Sequence, residues 1–458
     1  MAAEEVDIVV VGMGPGGEEV AARLARAGLH VVGVDRRLVG GECPYFACVP
    51  TKMMVRGADA LAEARRVPEL AGTTEVRPDW APIADRIREE ATTDWDDASA
   101  VRRFEDTGGH FVRGTGRVTG PAEVTVATGE SERVFQARRG IVLNPGTEPA
   151  IPPIDGLEGT GFWTNREAAQ AREIPRSLVV LGGGPVGVEF AQVFSRFGSD
   201  TALVEAAPRL LPGGEPETSE SITDVLTSEE ITVHTGVAAR RVRHHDGQFT
   251  VELDSGMTLS AEQLLVATGR RTDLAELGVK QVGLDDSVNT IEVDKWMRAA
   301  DRVWAIGDVT GRGAFTHTSV YQARIAAADI LEQGGETADY RAAPAVTFTD
   351  PEVAAVGLTE AQAREHGLAA RTAVSEIPSS ARGWIHKTGN AGLIKLVADG
   401  DRDVLVGASV VAPAGGEILG MLAVAIHAEV PLSQLRSMMF AYPTFHRAIE
   451  PALEALSS

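Results

Sequence analysis

Two cysteines, Cys43 and Cys48, are the only thiols in a chain of 458 residues, and four residues separate them. They lie in the segment from Gly41 to Lys52. A structural disulfide here would close a very short loop and remove little chain entropy. A zinc site needs about four ligands, and the sequence offers no further cysteine and no histidine at ligand-like spacing from the pair. The pair is therefore predicted to carry out thiol redox chemistry, and no metal site is predicted.

A glycine-rich turn precedes the cysteines by about one β-α-β unit. Residues 6–11 form an apolar, β-branched run typical of a buried parallel strand, and a helical pattern over residues 18–28 and a second strand over residues 31–34 follow. The glycines of the turn are Gly12, Gly14 and Gly17. Such glycines let the backbone approach a pyrophosphate at a helix N-terminus, and Asp35 at the end of the second strand can accept from a ribose hydroxyl.

The same pattern recurs later in the chain. A strand over residues 177–181 is followed by the glycine turn, a helix over residues 188–197 and a strand over residues 201–204. The glycines are Gly182, Gly184 and Gly187, and the acid at the strand end is Glu205. In both copies the acid follows the third glycine by 18 residues. The chain either binds two dinucleotides or carries a duplicated fold with one site lost, and the intact motifs favour two working sites.

The second acid indicates which nicotinamide nucleotide binds. A carboxylate at this strand end accepts from a free 2′-hydroxyl and repels a 2′-phosphate. Glu205 is followed by Ala206 and Ala207, and the nearest cation is Arg209. NAD(H) is therefore favoured over NADP(H).

With these motifs in place, the sequence resembles the pyridine nucleotide-disulfide oxidoreductases, the family of dihydrolipoamide dehydrogenase and of glutathione, mycothione and mercuric reductases. Residues 41–52 are similar to that family's redox-active disulfide segment. The resemblance implies that Cys48 lies beside the flavin as the charge-transfer thiolate and that Cys43 is the interchange thiol. It also places Lys52 near flavin N5 and pairs it with Glu189. Without the resemblance, Lys52 would read as an exposed helix charge and Glu189 as an acid favoured near a helix start.

The resemblance extends to further segments that imply FAD. Residues 113–118, which include Gly116, resemble a segment whose backbone touches the adenine, and residues 264–270, which include Gly269, resemble a short strand-turn signature. Residues 303–308 resemble the second FAD motif, in which Asp308 would bind a ribitol hydroxyl. The segment from Ala314 to His317 would lie beside the isoalloxazine ring, although His317 alone fits equally well as a polar residue at a helix start.

Two segments depart from the family pattern. Asn144-Pro145-Gly146 stands where the family's first short signature usually reads Ala-Thr-Gly, and the effect on the turn is left open. Near the C-terminus, Tyr442 occupies the position of the family's general acid-base histidine and Arg447 that of its glutamate partner. Tyr has a pKa of about 10 and is a poor base at neutral pH. His446 and Glu450 are spaced four residues apart and could form a relocated dyad, or they could be an ordinary exposed helix pair.

Composition excludes several classes of function. The net charge of −22 and the isoelectric point near 4.9 argue against nucleic acid as a partner, which requires a basic surface. The acidic N-terminus lacks the basic region of a signal peptide, and the apolar runs are too short to span a bilayer. A cytoplasmic protein without a membrane partner is expected.

The order of the elements predicts an α/β fold with two Rossmann-like dinucleotide-binding domains and a C-terminal α+β dimerisation domain. The predicted FAD-binding domain comprises residues 1–155 and 272–340, with an NAD(P)-binding domain at 156–271 between its parts and the dimerisation domain at 341–458. The polar stretch from Trp80 to Arg103 is expected to be helical and to face solvent.

We expect an FAD-dependent, NADH-using oxidoreductase that acts as a homodimer and passes electrons through the Cys43–Cys48 disulfide to a small-molecule disulfide or thiol-type acceptor. One alternative is reduction of quinones or other diffusible acceptors directly at the flavin. Another is a catalytically silent flavoprotein that serves as a scaffold. Mercury is disfavoured as the acceptor, since no further cysteine pair exists to deliver the metal. The natural acceptor and the direction of electron flow are not encoded in any recognisable motif.

Overall fold

A computed structural model describes residues 3–129 and 131–457, and the chain divides into two compact units. The first unit comprises Met1–Pro50, Asp85–Ala150 and Arg270–Asp339. The second comprises Thr51–Ala84, Ile151–Gly269 and Tyr340–Ser458. The four domain boundaries given above remain a prediction.

The first unit is built on an eight-stranded sheet whose central strands are parallel. Val9 and Val11 belong to one apolar cluster of this unit, and Ile8 and Val10 belong to the other. This division follows from the alternation of side chains along a strand, which points successive residues to opposite faces of a sheet. Burial on both faces explains the continuous apolar run in the sequence.

The strands of this sheet lie in a defined order, with an antiparallel hairpin attached beside the third of them. From edge to edge the strands are Arg298–Ala300, Val303–Ala305, Glu132–Leu143, Glu4–Val11, Val31–Asp35 and His110–Arg113, and the hairpin strands are Thr115–Gly120 and Glu123–Ala127. A small ribbon pairs Glu148–Pro149 with Arg270–Arg271. The carboxyl ends of the parallel strands share one edge, where a ligand of an open α/β sheet is expected to bind.

The second unit contains a smaller parallel sheet and an antiparallel three-stranded sheet. The parallel strands, in order, are Thr232–Thr235, Asp200–Glu205, Ser177–Leu181 and Gln263–Val266. The antiparallel strands are Ala239–His245, Gln248–Leu253 and Thr258–Ala261. The strand, turn, helix and strand order of the first unit is thus repeated.

The C-terminal part of the second unit is a five-stranded antiparallel sheet packed against helices through an apolar core. The strands, in order, are Pro344–Thr347, Glu352–Gly357, Val404–Ala412, Leu393–Asp399 and Ala370–Glu376. Its helices are Glu360–Glu365, Ala381–His386, Gly415–His427, Leu432–Ser437 and Ile449–Ala455, with a 3₁₀ turn at His446–Ala448. The predicted fold class is confirmed, including the α+β C-terminal part.

The two dinucleotide helices are Pro15–Arg26 and Pro185–Arg196. Both begin three residues earlier than the sequence pattern suggested, because proline is well accepted at the first helical position, where its missing N–H has no intrahelical partner. The remaining helices are Glu42–Tyr45, Cys48–Leu70, Ala81–Arg86, the π-helix Ile87–Ala91, Ala98–Glu105, Asn165–Ala169, Pro216–Ser228, Leu274–Leu277, Thr316–Ile330 and the 3₁₀ turns Val279–Val282 and Gly307–Thr310.

The expectation that residues 80–103 face solvent holds only in part: Arg86, Glu89 and Glu90 are exposed, but other positions are buried. Trp80 is only 6% exposed, and its indole N–H donates to the carbonyl of Ala171 at 2.9 Å. Thr92 and Asp97 are also buried. Polar composition was a poor guide at Thr92 and Asp97 alone, because these polar groups are hydrogen-bonded inside the fold rather than solvated. No helix among residues 3–129 and 131–457 is long and apolar enough to cross a membrane.

Candidate active site

The segment that carries the cysteines packs directly against the first glycine turn. The backbone N–H of Gly40 donates to the carbonyl of Met13 at 2.7 Å. A Cβ atom at Gly41 would lie 2.9 Å from the Cα atom of Gly14, and Gly41 has a φ of 67°. Only glycine satisfies both the close approach and the left-handed backbone at this position. The predicted neighbourhood of thiols and dinucleotide turn is therefore formed.

The two cysteines occupy different helices. Cys43 is half-buried in the one-turn helix Glu42–Tyr45, whereas Cys48 is exposed and is the first residue of the helix Cys48–Leu70. The Sγ atom of Cys48 lies 3.5 Å from the Oγ1 atom of Thr316, within the segment predicted to approach the flavin ring. A helix N-terminus favours negative charge, so the position of Cys48 stabilises its thiolate form.

Asn144 connects the unusual signature to the first glycine turn. A Cβ atom at Gly12 would lie 2.0 Å from the Asn144 carbonyl oxygen, so the two backbones are in contact. The buried Asn144 side chain donates from Nδ2 to the carbonyl of Gly12 at 3.1 Å and accepts from Ser319 Oγ at 3.4 Å. A Cβ atom at Gly17 would lie 2.0 Å from the same Gly12 oxygen. The departure from Ala-Thr-Gly therefore supports the turn.

Asp35, at the end of the strand Val31–Asp35, also holds the first glycine turn. Asp35 accepts from the backbone N–H of Met13 through Oδ2 and from that of Arg37 through Oδ1, both at 2.7 Å. Burial raises the pKa of Asp35, while the two backbone donors and the nearby cations Arg113 and Arg36 oppose that rise. The acid thus fixes the turn and faces the adjacent cavity.

A cavity of about 180 Å³ opens beside Asp35 at the carboxyl ends of the strands. Its lining includes Gly12, Asp35, Gly114, Thr115, Gly116 and Pro145. A Cβ atom at Gly116 would come within 3.1 Å of Val11 Cγ1, so this side of the cavity is formed by backbone. A cradle of glycines, a carboxylate and exposed backbone fits the adenosine part of FAD.

Asp308 lies in the 3₁₀ turn Gly307–Thr310 and accepts from Thr147 Oγ1 at 2.8 Å. The same hydroxyl oxygen accepts from Arg270 Nε at 2.7 Å. Thr147 is thus a site residue that motif matching did not single out. The ring of the predicted residue His317 stacks on Phe315 with centroids 5.2 Å apart, and Ala314 lies in the preceding loop.

The second glycine turn reproduces the geometry of the first. A Cβ atom at Gly187 would lie 1.8 Å from the carbonyl oxygen of Gly182, whereas no atom would lie within 4 Å of one at Gly184. Glu205 accepts from the backbone N–H groups of Gly183 and Ala207, both at 2.6 Å. These are the equivalents of the two Asp35 contacts, so the repeat is structural and extends to individual hydrogen bonds. Gly269, after the last strand of this sheet, has a φ of 124°.

Lys52 and Glu189 form an ion pair, as the resemblance implied. Lys52 Nζ lies 2.6 Å from Glu189 Oε2, and the Glu189 side chain is 8% exposed. Glu189 also accepts from the backbone N–H of Phe348 at 2.8 Å, and Lys52 Nζ lies 4.7 Å from the centre of the Phe348 ring. Lys52 is on the same helix as Cys48, one turn further along. The role of Phe348 in holding this pair had no signal in the sequence.

Of the two alternatives for His446 and Glu450, the structure does not show the paired dyad. Residues His446–Ala448 form a 3₁₀ turn before the helix Ile449–Ala455. With about three residues per turn, this geometry aligns positions i and i+3. Glu450 accordingly accepts from Arg447 Nε at 2.9 Å.

The two candidate proton donors have different surroundings. The guanidinium of Arg447 lies 5.1 Å from the centre of the Tyr442 ring, and Tyr442 is 68% exposed. The His446 ring lies 5.9 Å from that of Phe440. The structure therefore leaves Tyr442 open to solvent and places His446 against an aromatic side chain.

A partly buried acid that the sequence did not indicate lies next to Gly40, just before the cysteine segment. Glu18 is in the first turn of the helix Pro15–Arg26, and its Oε2 would lie 3.6 Å from a Cβ atom at Gly40. Burial raises the pKa of Glu18 to about 7, with Arg103 opposing and Asp97 adding to the rise. Its closest cation, Arg103, lies 3.8 Å away.

The raised pKa of Glu18 predicts how the stability of the protein depends on pH. Because its pKa is about 7 in the folded chain and near 4.5 when unfolded, the folded state holds the proton more tightly. The free energy of unfolding should therefore fall as pH rises from about 4.5 to about 7, by at most about 3 kcal/mol from this group. The variant Glu18→Gln should be more stable than the parent at pH 8 and equal to it near pH 4. Thermal unfolding across this pH range measures the difference, and two parallel curves would refute it.

Within the described ranges, no group of three or more His, Cys, Asp or Glu is arranged to hold a metal ion. The polar groups around the cysteines, the two glycine turns and the strand-end acids instead fit nucleotide cofactors. The glycine turn and Asp35 of the first unit therefore match FAD. The glycine turn and Glu205 of the second unit match a nicotinamide nucleotide.

Comparison with known proteins agrees with these features. Residues 6–323 match the family described as pyridine nucleotide-disulphide oxidoreductase, and residues 343–453 match its dimerisation domain. The chain is 31% identical to a mercuric reductase of Streptomyces lividans, over 99% of this chain and 96% of that protein. It is 32% identical to a dihydrolipoyl dehydrogenase of Thermus scotoductus, over 98% and 97%.

A solved structure supports the same relationship. The HOCl-induced flavoprotein disulfide reductase RclA from Escherichia coli, solved as a Cu(II) complex, is 26% identical to this chain. It superposes with a TM-score of 0.85 over 99% of this chain and all of that one (100%). On these matches and on the redox segment and paired dinucleotide turns described above, the chain belongs to the class I pyridine nucleotide-disulfide oxidoreductases, a family of FAD-dependent oxidoreductases that use NAD(P)H.

Proposed function

We propose that this oxidoreductase uses NADH to reduce a small-molecule disulfide through Cys43 and Cys48, acting as a homodimer. The observation that carries the proposal is the position of the thiol pair, which packs on the first glycine turn with Cys48 3.5 Å from Thr316. When bound, FAD supplies the redox chemistry that takes two electrons from NADH and delivers them to the disulfide. The predicted domain boundaries belong to the same proposal.

The chemistry of the chain's own residues is thiol–disulfide exchange. The Cys43 thiolate attacks one sulfur of the acceptor disulfide, so that a Cys43–acceptor S–S bond forms as the acceptor's own S–S bond breaks. The departing thiolate takes a proton. Cys48 then attacks the Cys43 sulfur, which releases the second thiolate of the acceptor and restores the Cys43–Cys48 disulfide. Because the thiolate is the attacking species, the helix N-terminus at Cys48 favours the second step.

Lys52 and Glu189 are proposed to set the electrostatics near the flavin. The pair is held at 2.6 Å, and Glu189 is also fixed by the Phe348 N–H. A lysine whose charge is oriented by a nearly buried carboxylate can stabilise negative charge developing on a neighbouring ring without moving. In the same proposal, Thr147 and Arg270 orient Asp308 towards the ribitol chain.

The homodimer is supported by the match to the dimerisation domain and by exposed apolar side chains in the C-terminal part of the chain. Those side chains are Trp384, Val424, Met439 and Tyr442, which are 77%, 65%, 98% and 68% exposed. Large exposed apolar groups of this kind are typical of surfaces that pair with another chain. In the resembling family the C-terminal segment completes the partner's active site, and Tyr442 is proposed to do so here.

Tyr442 is proposed to protonate the departing thiolate, in preference to His446. His446 would need a carboxylate to orient its ring, and the candidate partner Glu450 instead binds Arg447. Tyr442→Phe should slow disulfide exchange by about 10²- to 10⁴-fold, while NADH-driven quinone reduction stays unchanged. His446→Ala should have a small effect, and the rate should not follow a pKa near 6.5. The opposite pattern in single-turnover measurements would assign the proton to His446.

The preference for NADH rests on Glu205. Both of its oxygens lie 2.6 Å from backbone nitrogens that donate to them, which fixes the carboxylate at the strand end where a 2′-phosphate would sit. We expect kcat/KM for NADH to exceed that for NADPH by about tenfold or more, a discrimination of about 1.4 kcal/mol. Glu205→Gln should narrow the ratio, whereas Glu220→Gln on an exposed helix face should leave it unchanged. Equal use of both nucleotides by the parent enzyme would overturn the assignment.

A second candidate function is reduction of a diffusible acceptor without the thiols. It is favoured by one observation, the presence of Tyr442 where the resembling disulfide reductases have histidine. Anaerobic assays with NADH and three acceptor classes test the two candidates. The classes are a low-molecular-weight disulfide, a benzoquinone, and Cu(II), which is included because the RclA structure is a Cu(II) complex. The proposal expects the disulfide to give the highest kcat/KM; a rate confined to the quinone or the metal would support the second candidate.

A further inference from the structure

A segment of the first unit that begins after Arg86 has an unusual backbone. The π-helix Ile87–Ala91 is followed by Thr93, Asp94 and Trp95, whose φ values are 50°, 56° and 57°. Residues with side chains adopt left-handed backbone rarely and then usually singly. Three in succession form a short left-handed turn, which persists only where the surrounding structure over-determines it. π-helices are likewise frequent at functional sites.

Hydrogen bonds within the segment hold this turn. Thr92 is 1% exposed, and its hydroxyl donates to the carbonyl of Ile87 at 3.0 Å. The backbone N–H of Trp95 donates back to Thr92 Oγ1 at 3.3 Å, and that of Asp94 donates to the Arg88 carbonyl at 2.6 Å. The turn is therefore a fixed feature of the first unit.

The turn directs two side chains at the segment that carries Cys43. The indole N–H of Trp95 donates to the carbonyl of Tyr45 at 3.1 Å. The buried carboxylate of Asp97 accepts from the backbone N–H of Val39 at 2.6 Å and from Arg113 at 2.5 Å. Tyr45 is the last residue of the helix that contains Cys43, and Val39 lies just before that helix, so the segment is held on both sides.

A four-residue helix is not stable alone, because its terminal N–H and C=O groups lack intrahelical partners and one turn does not repay the entropy of nucleation. The helix Glu42–Tyr45 must therefore be ordered by its neighbours. Closing a disulfide with Cys48 requires a narrow range of separations and torsion angles. Groups that fix this helix consequently raise the effective concentration of one thiol at the other.

We propose that Trp95 and Asp97 are positioning residues that hold Cys43 in the geometry needed to form the disulfide with Cys48. The inference rests on the proposed redox role of the cysteine pair. It assigns a function to the left-handed turn, which aims both side chains at the redox segment. Neither residue is required to touch the acceptor.

The test measures the dithiol–disulfide equilibrium of the holoenzyme in buffers of reduced and oxidised dithiothreitol. In each exchange the Cys43–Cys48 bond breaks, one S–S bond forms in dithiothreitol, and two protons and two electrons pass to the protein thiols. Alkylation and intact-mass analysis count the thiols directly, since the chain has only two cysteines.

Trp95→Phe keeps an aromatic ring and removes the donor to Tyr45. We expect it to lower the equilibrium constant for disulfide formation by about fivefold to tenfold. The matched control is Trp80→Phe, which removes another indole hydrogen bond to a backbone carbonyl, that of Ala171 at 2.9 Å. The control should lower the melting temperature but leave the redox equilibrium within about twofold of the parent. Should Trp95→Phe fail to fold, Asp97→Asn, which keeps the shape and removes the charge, should shift the equilibrium in the same direction.

The outcomes separate the inference from the proposed function. A parent enzyme that forms no Cys43–Cys48 disulfide in any buffer contradicts the proposed function itself. The positioning role alone is overturned if the parent forms the disulfide but Trp95→Phe or Asp97→Asn stays within about twofold of the parent, or differs no more than Trp80→Phe does.

Discussion

Replacing Cys43 with serine is expected to lower NADH-driven reduction of a disulfide acceptor by about 10³-fold or more. A serine hydroxyl stays protonated at neutral pH and cannot form the mixed disulfide with the acceptor, so the exchange step is lost. Reduction of a benzoquinone by the same variant should be retained, since that acceptor needs no thiol. Steady-state kinetics with both acceptors measure the two effects in one preparation.

The matched control for this change is Ala47→Ser, which introduces a serine into the same segment and keeps both thiols. It should retain disulfide reduction within about tenfold of the parent, a loss that reflects local packing only. Cys48→Ser should also abolish turnover with the disulfide, but it should leave a Cys43–acceptor adduct detectable by mass spectrometry. Full disulfide turnover by Cys43→Ser would mean that the acceptor is reduced without the thiol pair.

Lys395→Met is expected to be among the most destabilising single changes in the second unit. Lys395 is 2% exposed, and its Nζ lies 3.0, 2.8 and 2.9 Å from carboxylate oxygens of Glu215, Glu217 and Glu360. Burial alone lowers the pKa of Lys395, but hydrogen bonds to these carboxylates outweigh burial and raise it. Removing the cation leaves Glu215, itself 2% exposed, without its neutralising charge. The expected loss in the free energy of unfolding is about 3–5 kcal/mol.

Chemical denaturation monitored by tryptophan fluorescence measures this loss. Lys387→Met is the control, because the Lys387 ammonium binds only a backbone carbonyl at the surface and its loss should cost less than about 1 kcal/mol. Combining Lys395→Met with Glu215→Gln should restore part of the stability, since the second change removes the buried charge that the first one exposes. Equal stabilities of Lys395→Met and Lys387→Met would show that the cluster contributes little.

The sequence predicted the two dinucleotide turns, where the residue types needed to bind a nucleotide also set the local backbone. The glycines and strand-end acids of both turns were found because a close backbone approach and a fixed spacing leave few alternatives. The Lys52–Glu189 ion pair was anticipated only through the family resemblance, since 137 residues separate its partners along the chain. Local pattern alone gives no signal for a contact over that distance.

Idealised local geometry and composition gave weaker guidance. The spacing of His446 and Glu450 left a paired dyad and an ordinary exposed pair as alternatives, and in the structure Arg447 binds Glu450. The solvent-facing assignment of residues 80–103 holds only in part, because Trp80 and Asp97 find hydrogen-bond partners at sequence separations of 91 and 58 residues. Only the folded chain brings such partners together.

Counting thiols during an anaerobic NADH titration tests the central claim most directly. The oxidised holoenzyme is titrated with NADH without any acceptor, quenched with an alkylating reagent and weighed by mass spectrometry. If electrons pass from NADH to the Cys43–Cys48 disulfide, the parent enzyme should gain two alkyl groups for each chain, and Cys43→Ser should gain none in response to NADH. Consumption of NADH by the parent enzyme with no new alkylated cysteine would contradict the assignment of this pair as the route to the acceptor.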